Sequence, residues 1–79
     1  ELEKVDDELK VLLQRFRELT PKQIQVLSYL RAGLMNKQIA HEMNVTEATI
    51  KAHISAILRK LEINTRTQAV LLMDKLQLS

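Results

Sequence analysis

Lys51, Ala52, Ser55 and Arg59 recur at helical spacing within residues 36–61, NKQIAHEMNVTEATIKAHISAILRKL, and with Ala48 they form one arc of small and basic side chains. Such an arc suits groove chemistry. The major groove of duplex DNA is about 12 Å wide, so bulky side chains on an entering helix would hold its backbone off the base edges. Ala52 is small enough to pack on a thymine methyl, the Ser55 hydroxyl can donate or accept at a base edge, and Lys51 reaches guanine or phosphate. These three are the candidates for base readout. Asn36, Lys37, Thr46, Thr49, Arg59 and Arg66 are the candidates for phosphate contacts, which set register without reading sequence. A plain solvated helix would tolerate the same arc. The short amphipathic helix and the turn at Asn44 that precede it favour a DNA-binding helix-turn-helix.

Other chemistries lack their parts. The chain has no Cys and two His, and neither His41 nor His53 has ligand-spaced partners for the four positions that zinc wants. His41 is expected on the solvated surface. No glycine-rich phosphate loop and no nucleophile with a positioned base are present, so no catalytic residue, no metal and no cofactor are expected, and the chain does not read as an enzyme. The longest apolar run, residues 69–73, is far short of a membrane span, and no signal peptide is visible. With no cysteine to form disulfides, a reducing, cytoplasmic setting fits. Net charge is +2, but residues 1–19 hold six acids against four bases, and residues 20–79 hold eight bases against four acids. The second segment suits a polyanion and the first does not.

One Gly and one Pro in 79 residues, with helix formers in abundance, point to an all-α domain of small size. Leu2, Val5, Leu9, Leu12, Phe16 and Leu19 follow a heptad seam. The reading is an amphipathic linker helix over 1–19, which either pairs with a partner or packs on its own domain. A helix-turn-helix unit over 20–79 follows. Thr20, Pro21 and Gln23 spell a helix start with a capping box, Leu19 and Ile24 occupy staple positions, and Gly33 supplies the stop. That helix should bury Ile24, Leu27 and Leu30. Asn36 is expected to cap the next helix, with Ile39, Ala40 and Met43 inward and Asn44 left-handed in the turn. Thr46 caps a third helix of the unit, whose inward stripe is Ile50, Ile54, Ile57, Leu58 and Leu61. Thr65 and Gln68 open a last helix to about Leu78, with Ala69, Leu72, Met73 and Leu76 inward.

The chain over roughly residues 19–73 resembles the LuxR/NarL-type (GerE-like) helix-turn-helix family. The likeness rests on Leu19-Thr20-Pro21, Asn36-Lys37-Gln38-Ile39-Ala40, Thr49-Ile50-Lys51-Ala52-His53, Leu58-Arg59-Lys60-Leu61 and Arg66-Thr67-Gln68-Ala69. It implies a four-helix DNA-binding effector domain of a bacterial transcription regulator, of the two-component response-regulator kind. It also implies His53 near the DNA backbone, a homodimer formed through the last helix, and a sensory or receiver domain upstream. Gln23 and Gln25 stand where the family has acidic residues. A carboxylate contact that steadies the recognition helix in relatives is thus expected to shrink to a neutral hydrogen bond at most. Gln38 replaces a usual Glu, Met35 a small polar residue, and Asn44 a frequent Gly.

On the last helix Leu71 and Leu78 face away from the expected core, with Val70 at its edge, which suits self-association. Two alternatives remain open. A sigma-factor region-four-like module would have RNA polymerase as its partner; a helical interaction module would bind no double-stranded DNA.

Overall fold

The computed structural model describes residues 2–76, with side chains from residue 7 onward. The described residues form five helices: α1 (Leu2–Arg17), α2 (Pro21–Arg31), α3 (Asn36–Met43), α4 (Glu47–Leu61) and α5 (Arg66–Lys75). The all-helical class is as expected. α4 is the hub and packs against each of the other four helices.

Local signals place most helix ends. Thr20 Oγ1 accepts from Gln23 N–H at 3.1 Å, and Gln23 Oε1 accepts in return from Thr20 N–H at 3.0 Å. The same reciprocal pair opens α5 at Thr65 and Gln68, at 3.2 and 3.0 Å. Each such cap contributes about 1 kcal/mol. Gly33 closes α2 at φ 91°, where Gly33 N–H donates to Leu30 and Leu34 N–H to Tyr29. Asn44 adopts φ 57° as expected, and Val45 N–H reaches back to Ala40 at 3.0 Å.

Two expectations are corrected. Asn36 does not cap α3; it is the first helical residue, and Met35 holds the N-cap position without a side-chain bond. The cap works from the other side, because Gln38 Oε1 accepts from Met35 N–H at 2.7 Å, a bond that needs nothing of the Met35 side chain. Ile24 does not enter the core but stays 43% exposed, and Val26 is fully buried instead. The inward stripe of α2 is Gln23, Val26, Leu27 and Leu30, so Ile24 stands one position off it.

The core unites Val26, Leu27 and Leu30 of α2, Ile39 and Ala40 of α3, Ile50, Ile54, Ile57 and Leu61 of α4, and Ala69 and Met73 of α5. Each fully buried aliphatic side chain contributes about 1.5–3 kcal/mol. Leu58, Met43, Leu72 and Leu76, all expected inward, are half-buried against this core. The C-terminal end of the heptad seam joins it through Phe16 and Leu19, while Val11 and Leu13 on α1 are exposed. That end of α1 therefore packs on its own chain. The Leu2 and Val5 side chains lie outside the described residues.

Candidate nucleic-acid interface

α4 carries two faces that divide cleanly. Ile50, Ile54, Ile57 and Leu61 are buried at four- and three-residue spacing. The arc between them and solvent exposes Ala48, Lys51, Ala52, Ser55 and Arg59. All three base-readout candidates are thus exposed, Ala52 and Ser55 away from the anchored stripe and Lys51 at its flank.

Both ends of α4 are pinned. Thr46 Oγ1 accepts from Thr49 N–H at 3.1 Å, and the two hydroxyls share a bond of 3.0 Å. Glu47 follows at the positive end of the helix dipole. At the other end Glu62 takes φ 56°, with Glu62 N–H bonded to Arg59 and Ile63 N–H to Leu58. A glutamate in the left-handed region is strained by about 1–2 kcal/mol. Half-buried Ile63, drawn against the core, holds the chain there. Glu62 also pairs with Arg15 of α1 at 3.2 Å.

Lys60 makes a second long-range tie. Its ammonium donates to the Glu18 carbonyl and to Gln23 Oε1, both at 3.0 Å, so α4 is joined to the α1–α2 junction. The neutral hydrogen bond expected at Gln23 is therefore charge-assisted from the donor side, and Gln23 is buried while making it. Lys60 stands in the sequence only as part of the Leu58-Arg59-Lys60-Leu61 motif, with no sign of its partners, and Glu62 does not stand out. A signal existed for Gln23, because a capping box on Thr20 puts its third helical residue at the turn nearest the core.

The phosphate candidates converge in part. Asn36, Lys51, Ile54, Ser55 and Arg66 line one shallow concavity where the starts of α3 and α5 meet the middle of α4. Met35, Asn36, Lys37, Gln38, Glu47 and Arg66 line a second. Asn36 and Arg66 belong to both. Lys37 is exposed, and Glu47 sets one acidic group among these residues. Thr46 caps the α4 start and the Thr49 hydroxyl bonds that of Thr46, His53 is half-buried, and Arg59 is exposed one turn beyond Ser55. His41 is exposed, as expected.

On α5, Leu71 is 61% exposed and Val70 is half-buried. Leu78 lies outside the described residues. Among the described residues no helix is long and apolar enough to cross a membrane.

The family model described as bacterial regulatory proteins, luxR family (GerE), matches residues 17–73. The glycerol metabolism activator of Pseudomonas putida is 53% identical over 53 residues, covering 67% of this chain and 24% of the activator. The nitrate/nitrite response regulator protein NarP of Escherichia coli is 46% identical over 57 residues, 72% of this chain and 26% of NarP. In solved form, the response regulator StyR superposes with a TM-score of 0.87 at 37% identity, over 92% of this chain and 37% of StyR. The chain therefore spans about a quarter of the first two relatives' length and 37% of StyR's.

Proposed function

The chain belongs to the LuxR family of bacterial regulatory proteins and forms its helix-turn-helix DNA-binding domain; from that premise we propose that it is the effector domain of a response regulator, binding DNA as a homodimer with α4 in the major groove of each half-site. The observation that carries this reading is the division of α4, with a stripe of buried isoleucines holding an exposed arc of alanine, serine and lysine. A helix so anchored offers its small side chains to base edges without moving its backbone. Lys51, Ala52 and Ser55 read bases. Asn36, Lys37, Thr46, Thr49, His53, Arg59 and Arg66 hold phosphates and fix register.

The dimer forms through the last helix, with Leu71 and Val70 as contacts; Leu78, outside the described residues, is the third candidate. An exposed leucine of this kind is supported as a contact by the absence of a core role. The residues 1–19 act as the linker to an upstream receiver domain, a reading supported by the much greater length of NarP and StyR. The domain works in the cytoplasm, where the chromosome is, and RNA polymerase is a further candidate partner.

The test is duplex binding as a function of salt. If each dimer neutralises about six to ten phosphates, affinity falls roughly 10³–10⁵-fold between 50 and 200 mM salt. No binding to mixed-sequence duplex at low salt would leave a helical interaction module as the better reading.

A further inference from the structure

Asn36 Oδ1 is shut off from solvent and accepts no hydrogen bond. A buried acceptor without a donor is a standing cost that folded proteins rarely leave uncompensated. Nothing about α3 requires it, because Gln38 supplies the cap and Asn36 is merely the first helical residue.

Arg66 is the complementary anomaly. It is the first residue of α5, where the helix dipole disfavours a cation. Like Arg17 and Arg59, Arg66 has no ion pair among the described residues, and of these three it alone stands beside Asn36. It lines both concavities that Asn36 lines, and Lys51 lines one of them. A guanidinium is a planar fork of five N–H donors and serves two acceptors at once, which an ammonium point charge does less well.

We propose that Asn36 is a positioning residue for Arg66: on docking, the Arg66 guanidinium donates to Asn36 Oδ1 and to a DNA backbone phosphate together. The buried carbonyl gains its donor, and the charge that displaces counterions is held at one place on the duplex. This proposal rests on the DNA-binding reading above.

The experiment compares the parent chain with Asn36→Ala, Arg66→Ala, Lys51→Ala, and Asn36→Ala combined in turn with each of the other two. Binding to a mixed-sequence duplex is measured across 50–200 mM salt, with thermal melts of the free proteins. Asn36→Ala and Arg66→Ala should each weaken binding on the order of tenfold, the loss of one charge-assisted bond. Their double variant should be within about twofold of Arg66→Ala alone, since the two groups act as a unit. Asn36→Ala removes no charge, yet it should flatten the salt slope by about 0.9 per half-site, as Arg66→Ala does. Its melting temperature should not fall, because an unsatisfied acceptor has been removed.

Multiplicative losses in the Asn36/Arg66 double variant would overturn the proposal, as would a parent-like salt slope for Asn36→Ala. So would coupling of Asn36 to Lys51 instead, or a lowered melting temperature that accounts for the lost affinity. If the parent chain itself binds no duplex, the DNA-binding reading fails and takes this one with it; if it binds and the coupling is absent, this one fails alone.

Discussion

α4 and α5 both begin on a threonine whose hydroxyl accepts from the N–H three residues on, and both bury a stripe against the same core. What they leave outside differs. α4 exposes Ala48, Lys51, Ala52, Ser55 and Arg59, which are small or cationic. α5 exposes Leu71, whose side chain gains nothing from water, among the polar Arg66, Thr67, Gln68, Asp74 and Lys75. In the proposed reading the first surface meets a polar, negatively charged partner, and the exposed leucine of the second meets a copy of itself. Similar helix-building thus leaves room for opposite recognition, because capping and core stripes constrain one face of a helix and leave the other to its partner.

The largest expected effect breaks the polar half of this comparison. Ala52→Glu puts bulk and negative charge on the arc, so operator binding should be lost by well over 100-fold, a change of about 3 kcal/mol or more. Melting should barely move, as for other surface substitutions. Retained operator affinity in a gel-shift titration would mean that this arc is not at the DNA.

Leu71→Asp tests the apolar half. The monomer should stay folded, while self-association falls and affinity for a two-half-site operator drops on the order of tenfold. Sedimentation and operator titration together decide it. If both are unchanged, the contact between copies lies elsewhere, and the exposed Val11 and Leu13 on α1 become the leading surface.

A smaller effect sharpens how α4 is held. Glu62→Gly relieves a left-handed glutamate and gives up an ion pair whose carboxylate side is 67% exposed. Exposed pairs contribute little, so strain relief should outweigh the loss and raise stability by about 0.5–1 kcal/mol in chemical denaturation. A net destabilisation would show that the Arg15 contact, not the backbone, dominates that corner.

The helix ends were legible wherever the information is local. Thr20, Thr46 and Thr65 each act within three residues, and Asn44 takes its conformation from its own short side chain. Asn36 misled because a polar residue before an apolar run looks like a cap, while Gln38 caps through a backbone N–H that any residue would supply. Ile24 misled because its type says core and only its phase on the helix says surface. Glu62 in the left-handed region was invisible, since the pull comes from Ile63 reaching the core. The exposed arc of α4 followed from periodicity alone. The meeting of Asn36, Lys51 and Arg66 did not, because it depends on how three helices pack. Lys60 reaching Glu18 and Gln23 across some forty residues of sequence (42 and 37) is of the same kind.

The central claim, that the outward arc of α4 reads base pairs, is tested most directly by operator selection from a randomised duplex pool, run with the parent chain and with Ser55→Ala. Ser55 is exposed on the arc and the core stripe beside it is complete without it. The account predicts a changed preference at one base pair per half-site, by about 1–3 kcal/mol, with preferences elsewhere in the site kept. An unchanged preference at every position, alongside normal operator binding by Ala52→Glu, would contradict the assignment of this helix to the groove.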